Sequence, residues 1–129
     1  MRYLVIAILL TIAPSLVAAN TQDSAPIAFV GKWAATVKNS NGATVVDHVV
    51  LNQNMTFDGR LTVNGKLAWK YSGTWSITRS LFVWHYEVSS RPMTESERVD
   101  TDEIVSVDDS KLVLLSKLSG KQFEYVRER

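Results

Sequence analysis

The chain contains no cysteine among its 129 residues. That absence excludes disulfides, thiol catalysis, thiolate metal sites and lipidation of a cysteine behind a signal peptide. Proline and glycine are also scarce, at three and six residues. Stability must therefore come from side-chain packing, for which the sequence supplies four tryptophans, four tyrosines and four phenylalanines.

Residues 1–19 have the three parts of a secretory signal peptide. Arg2 supplies the positive charge, residues 4–12 are apolar apart from Thr11, and Val17-Ala18-Ala19 places small residues at the cleavage positions. The apolar run is about half the roughly 20 residues that a membrane-spanning helix needs, which favours cleavage over an uncleaved anchor. We expect cleavage after Ala19, a periplasmic or secreted location, and no membrane span after cleavage.

The 110 residues that follow Ala19 carry 13 basic and 13 acidic side chains, because Arg2 leaves with the signal peptide. A net charge of zero argues against nucleic acid as a partner, since phosphates reward an excess of Lys and Arg. It argues equally against electrostatic adhesion to anionic lipid. We expect one domain over residues 31–129, preceded by a flexible leader at residues 20–30.

Short β-rich runs separated by turn signals follow the leader. Asn64-Gly65 is the strongest hairpin signal, because Asn-Gly favours the positive φ angles of two-residue turns. The run that follows it has the clearest period of two, with one face that carries Leu67, Trp69, Tyr71, Gly73, Trp75 and Ile77. The expected strands span residues 31–38, 44–51, 55–63, 66–77, 81–89, 102–107, 111–116 and 121–127.

Eight short strands joined in order by tight turns predict an all-β fold, an eight-stranded antiparallel up-and-down barrel. Closing the meander removes both exposed sheet edges. The interior of such a barrel is either filled by side chains or has room for one small ligand.

Three local irregularities are expected in this pattern. Asp58-Gly59 marks a bend or bulge in the third strand. Gly73, among aromatic residues, indicates a kink or a close backbone approach. Residues 91–100 break the alternation, and Thr94-Glu95-Ser96-Glu97 matches a capping box, which predicts a single helical turn or a long loop.

The first and last expected strands together carry a known sequence pattern. Gly31-Lys32-Trp33 opens the first strand and Arg127 lies in the last. This pairing resembles the calycin pattern shared by lipocalins, avidins and related small barrels. The resemblance implies that Trp33 closes the barrel floor, that Arg127 packs across its ring, and that Gly31, Trp33 and Arg127 have structural roles. A guanidinium on an indole is a favourable cation–π pair.

The whole segment after the signal peptide is similar to bacterial exported lipocalin-like domains. The shared motifs are the opening Gly-x-Trp, Asp58-Gly59, Gly73-Thr74-Trp75 and the closing Glu124-Tyr125-Val126-Arg127. Bacterial metalloprotease inhibitors are another relative of similar size that also opens with Gly-x-Trp, and they place their N-terminal segment in a protease cleft. They usually carry a cysteine pair, which this chain lacks.

An aromatic face is the candidate ligand site. Its members lie on the fourth and fifth expected strands and are Trp69, Tyr71, Trp75, Phe82, Trp84 and Tyr86. They could line an apolar pocket or form a solid core, and both interpretations place the same face inward. A cavity of at least roughly 300 Å³ would match a ligand site.

Nothing in the sequence predicts catalysis, a metal or a cofactor. His48 and His85 have no spacing motif, whereas a metal site needs three or four converging ligands. The carboxylates between residues 95 and 109 accompany Arg91 and Arg98, which favours a solvated, charge-balanced loop over a catalytic pair. The Gly-x-Ser-x-Gly elbow of hydrolases is absent. We therefore expect that the protein is not an enzyme.

The preferred hypothesis is an exported barrel that binds a small apolar or aromatic ligand without catalysis. The alternative is an interaction or inhibitor module whose partner is a protein of the cell envelope. It would use the leader, the loop at residues 91–100 or an apolar surface strip.

Expression of the full chain in a bacterial host tests the expected cleavage. Mass spectrometry of the exported protein should place its first residue at Asn20. An intact chain that stays in the membrane fraction would contradict the signal-peptide hypothesis.

Overall fold

The computed structural model describes residues 26–129. The expected signal peptide, the cleavage point and residues 20–25 of the leader lie outside this range. Two 3-10 helices, Ile27–Phe29 and Glu95–Glu97, accompany eight strands. The strands are β1 (Gly31–Lys38), β2 (Thr44–Leu51), β3 (Thr56–Val63), β4 (Lys66–Thr78), β5 (Leu81–Ser89), β6 (Val99–Val107), β7 (Lys111–Ser116) and β8 (Gln122–Arg127).

Each strand pairs antiparallel with its neighbours in the chain, and β8 returns to pair with β1. The barrel is therefore closed, and the predicted fold class is confirmed. Between residues 26 and 129, no helix is long and apolar enough to cross a membrane.

The largest difference in strand bounds is at β6, which begins at Val99 and not at residue 102. Val99 pairs with His85 and Asp100 with Trp84, so the start of β6 is part of the barrel wall. The predicted helical turn before it is confirmed, and the Thr94 backbone N–H donates to the Glu97 carboxylate at 2.7 Å.

A bulge in β4 changes which side chains face inward. Leu61 pairs with Trp69 and Thr62 with Leu67, so Ala68 is skipped in the ladder between β3 and β4. Because side chains alternate with a period of two, one extra residue reverses the facing beyond it. Leu67, expected on the inward face, is consequently 58% exposed.

Gly59 and Gly73, the two glycines at which the sequence predicts an irregular strand, differ in their strand pairing. Of the bend or bulge expected at Asp58-Gly59, the bulge is absent, because Gly59 pairs in register with Tyr71. Its role is steric, since a Cβ there would collide with the Tyr71 ring. The close approach expected at Gly73 is confirmed. The register shifts beside Gly73, and a Cβ there would collide with the carbonyl oxygen of His85.

The seam that closes the barrel is short. Within the described chain, β1 and β8 share two registered pairs, Trp33 with Arg127 and Ala34 with Val126. The Arg127 guanidinium reinforces them by lying 4.2 Å from the centre of the buried Trp33 ring. Gly31 makes room for it, since a Cβ at that position, which has φ +142°, would collide with Arg127 Nη1.

Arg127 also connects three chain segments through its hydrogen bonds. It donates to the carbonyl oxygens of Val30 at 2.8 Å, Ala28 at 3.1 Å and Asp109 at 2.7 Å. The segment before β1, the turn before β7 and the end of β8 are thereby held around one guanidinium.

Residues 26–30 of the expected flexible leader are ordered against the barrel. Phe29 is buried, with its ring 5.9 Å from Phe82 and 6.4 Å from Trp75. The Trp33 indole N–H donates to the Phe29 carbonyl oxygen at 2.9 Å. Burial of one aromatic side chain contributes about 1.5–3 kcal/mol, which favours an ordered segment here. This segment plugs one end of the barrel.

Replacing Arg127 with alanine tests this closure. The variant loses the cation–π contact and leaves three carbonyl oxygens without their donor, so we expect the free energy of unfolding to fall by about 2–4 kcal/mol. Urea denaturation followed by tryptophan fluorescence measures the change. Arg60→Ala is the matched control, because Arg60 is exposed on β3. Equal losses in the two variants would contradict the role assigned to Arg127.

Candidate functional site

The barrel interior is hollow at the end opposite Trp33. A cavity of about 350 Å³ opens there, near the turns that join β1 to β2 and β7 to β8. Its wall combines aromatic, aliphatic and acidic side chains with two serines, namely Ala35, Val37, Val45, Asp47, Leu61, Tyr71, Trp84, Tyr86, Asp100, Asp102, Ser116, Leu118, Ser119, Phe123 and Tyr125.

Five of the six aromatic residues proposed from the sequence lie either on the wall of this cavity or in the core. Tyr71, Trp84 and Tyr86 line the cavity. Trp75 and Phe82 lie in the closed half, where their rings stack with centroids 5.5 Å apart. Core and pocket are therefore two ends of one aromatic interior.

Trp69 occupies an intermediate position outside the cavity lining. Its ring centroid is 4.2 Å from that of Tyr71 and 5.7 Å from that of Tyr86. The Arg91 guanidinium lies 4.1 Å from the Trp69 ring centre, and the indole N–H donates to Ser89 Oγ at 2.7 Å. The Trp69 ring thus packs against Tyr71 and Tyr86, two residues of the cavity lining. Its contacts with Ser89 and Arg91 connect these tyrosines to the end of β5 and to the segment that follows.

Three carboxylates, Asp47 on β2 and Asp100 and Asp102 on β6, share the cavity with these aromatic rings. Among residues 26–129, no lysine, arginine or histidine lines this cavity. The ion pairs among residues 26–129 join His48 to Glu128 and Lys111 to Glu124, so none of these three aspartates takes part in one. The cavity is therefore acidic as well as apolar.

Asp102 is the most buried of the three carboxylates, with 7% of its surface exposed. Its Oδ2 accepts a hydrogen bond from the Trp84 indole N–H at 2.8 Å. Burial, assisted by the nearby charge of Asp100, raises the pKa of Asp102 to about 6 against the opposing effect of the Trp84 hydrogen bond. Asp102 therefore changes charge close to neutral pH.

Asp47 is held by two tyrosines. The Tyr71 hydroxyl donates to one carboxylate oxygen, and the Tyr125 hydroxyl lies 3.4 Å from the other. Burial raises the pKa of Asp47, while these hydrogen bonds work in the opposite direction. Burial and neighbouring carboxylates raise the pKa of Tyr71, Tyr86 and Tyr125, so all three hydroxyls remain neutral donors.

Sequence reasoning missed these carboxylates. The sequence places Asp100 in the loop at residues 91–100 and Asp102 at the start of the sixth strand, and it predicts that both are solvated. That interpretation is wrong, because both belong to β6 and line the cavity. The signal that could have found Asp47 is alternation, since it shares the parity of Val45, Val49 and Leu51. An acid at an inward position of an apolar strand indicates a polar group in the interior.

The two histidines lie away from the cavity. His48 Nδ1 is 3.2 Å from Glu128 Oε1, and His85 is exposed on β5. Over the described part of the chain, no three His, Cys, Asp or Glu side chains come close enough together to hold a metal ion.

Comparison with known proteins supports the fold alone. No protein-family model matches the sequence, and no curated protein matches it significantly. The NMR structure of a protein from Bacteroides uniformis is similar, with a TM-score of 0.57 and 14% sequence identity. The match covers 85% of this chain and 98% of that one. The barrel architecture, consistent with a calycin-like fold, is thus shared with a solved structure.

The raised pKa of Asp102 predicts a pH-dependent stability. The folded-state pKa of about 6 exceeds the unfolded value of 3.8, so the folded chain binds more protons between these values. The contribution of Asp102 to stability is therefore present below about pH 4 and is lost as the pH rises through 6. Asp102→Asn removes this loss and keeps an acceptor for Trp84. We expect it to stabilise the protein at pH 8 by an amount on the order of 2 kcal/mol, with little effect at pH 4.

Thermal unfolding at several pH values measures this difference. Asp58→Asn is the control, because Asp58 is exposed on β3 and loses the same charge. A difference between Asp102→Asn and wild type that stays constant from pH 4 to pH 8 would contradict the assignment.

Proposed function

We propose that this protein is an exported, lipocalin-like barrel that binds a small apolar or aromatic ligand in the open-end cavity without catalysing a reaction. The observation that carries the proposal is the cavity of about 350 Å³, bounded by Tyr71, Trp84 and Tyr86. Ligand pockets typically begin at roughly 300 Å³ and combine apolar walls with a few polar groups.

The arrangement of the barrel ends supports this assignment. The closed end is filled by Phe29, Trp33, Trp75 and Phe82, all buried. A ligand would therefore enter from the other end and stop against the aromatic core. Rigid aromatic walls favour binding because they lose little conformational entropy when a ligand packs against them.

The proposal of export rests on the sequence, and the proposal of a lipocalin-like family also rests on the closed end of the barrel. Residues 1–19 have the parts of a secretory signal peptide. Gly31, Trp33 and Arg127 have the arrangement that the calycin resemblance implies, with the guanidinium against the indole. These observations support a periplasmic or secreted lipocalin-like protein.

An apolar rim favours a second candidate function, an interaction module for an envelope protein. Leu118, in the turn after β7, is 91% exposed, and Val37, which lines the same cavity, is also exposed. A partner could cover this rim. The leader is less suited to that role from Ile27 onward, because Phe29 is buried in the barrel floor.

Titration with N-phenyl-1-naphthylamine tests the ligand site. This neutral probe becomes fluorescent in apolar surroundings, and we expect saturable binding to the wild-type protein. Leu61→Trp places a larger side chain in the cavity wall and should weaken binding at least about tenfold. Circular dichroism checks that the variant keeps its β-structure.

Val88→Trp is the matched control, since Val88 is exposed on β5 and the same residue type is added outside the cavity. It should bind the probe as the wild type does. Absence of saturable fluorescence in the wild type, or equal binding by a folded Leu61→Trp variant, would overturn the proposal.

A further inference from the structure

We infer that the ligand is an organic cation, with an apolar or aromatic body and a protonated or quaternary amine that lies against Asp102. This inference rests on the proposed function, because it names the chemical class that the same cavity would bind. It starts from the charges of the cavity wall and from Asp102, a buried carboxylate with one oxygen that accepts no hydrogen bond from residues 26–129.

The cavity wall has an unbalanced charge. Asp47, Asp100 and Asp102 line it, whereas no basic side chain of the described residues does. Buried or partly buried carboxylates are normally paired with a cation, because an isolated charge in an apolar environment is costly. A cationic ligand would supply the missing counter-charge, whereas an anionic one, such as a fatty acid, would meet three acidic side chains and no basic one of residues 26–129.

Asp102 presents an oriented acceptor to such a ligand. It is more than nine-tenths buried, and the Trp84 indole N–H holds its Oδ2. No hydrogen bond from residues 26–129 reaches its Oδ1. Because every fully buried side-chain polar atom of these residues has a partner, this oxygen is accessible, on a side chain that lines the cavity. Because Trp84 fixes one oxygen, the other is available to an ammonium group without reorganisation of the carboxylate.

The aromatic walls favour the same class of ligand. A cation over an aromatic face gains electrostatic attraction in addition to the burial of its apolar body. Trp84 and Tyr86 line the cavity beside Asp102 and Asp100, which brings ring faces and carboxylates into one space. Asp47 differs from Asp102 in that Tyr71 and Tyr125 already approach both of its oxygens.

A divalent metal ion fits this cavity less well than an organic cation. In the described residues, no three acidic or histidine side chains come together as a metal site requires. The apolar volume would also stay empty around a bare ion, while an aromatic amine fills it.

Three ligands with the same indole ring test the inference in the wild-type protein at pH 8. They are tryptamine, which is cationic, indole-3-ethanol, which is neutral, and indole-3-acetate, which is anionic. Displacement of N-phenyl-1-naphthylamine measures each affinity. We expect tryptamine to bind at least about tenfold more tightly than the alcohol, because a hydrogen bond to a charged group is the stronger one. The acetate should bind most weakly.

Asp102→Asn tests whether the preference for the cationic ligand depends on the Asp102 carboxylate. It keeps an acceptor for Trp84 but loses the negative charge, so the preference for tryptamine over indole-3-ethanol should fall below about threefold. Asp58→Asn, which removes an exposed carboxylate outside the cavity, should keep the full preference. If the Asp102 variant does not fold, the three-ligand series in the wild type still decides the charge preference.

The outcomes separate the two proposals. Binding of the alcohol as tight as that of tryptamine would overturn the inference and leave the apolar ligand site intact. Tighter binding of the acetate would also overturn it. Failure of the naphthylamine probe and of all three indoles to bind would overturn the proposed function itself.

Discussion

The barrel depends on the contact between the Arg127 guanidinium and the Trp33 indole. Closure brings the first and last strands together along two registered pairs, a short ladder for the step that removes both sheet edges. Arg127 adds a cation–π contact and three hydrogen bonds to that ladder. It also draws the segment with Phe29 under the barrel. Arg127 therefore helps to close the sheet and to hold the segment that fills one end of the barrel. The cavity lies at the opposite end.

Polar groups in the interior are arranged around the tryptophans. Each indole N–H has an acceptor: Phe29 O for Trp33, Ser89 Oγ for Trp69, Asn52 O and Thr56 O for Trp75, and Asp102 for Trp84. Only the last of these acceptors is a carboxylate. In a filled core an apolar residue at that position would add packing energy. Asp102 instead carries a desolvation cost, and such a cost is typical of positions kept for function.

The sequence predicted the fold well because alternation and turn residues are local signals. β1, β2, β5 and β7 have the predicted bounds, and Asn64-Gly65 forms the hairpin turn expected of it. The bulges escaped prediction, since an extra residue is recognised only against its partner strand. Leu67 and Val88 face outward for that reason. Alternation predicts Tyr71, Trp84 and Tyr86 as cavity residues. It does not reveal Asp100 and Asp102, because the many charged residues around the start of β6 are typical of a solvated surface.

The hydrogen bond from Trp84 to Asp102 has a spectroscopic consequence. The electronic transition of an indole shifts in the electric field of a nearby charge, and here that charge lies on the atom that accepts its N–H. The other three indoles donate to neutral oxygens, so Trp84 is the indole among residues 26–129 whose own acceptor changes charge in this titration. The fluorescence of Trp84 thus reports the charge on the cavity wall. The state of the site can be observed by light, without an added label.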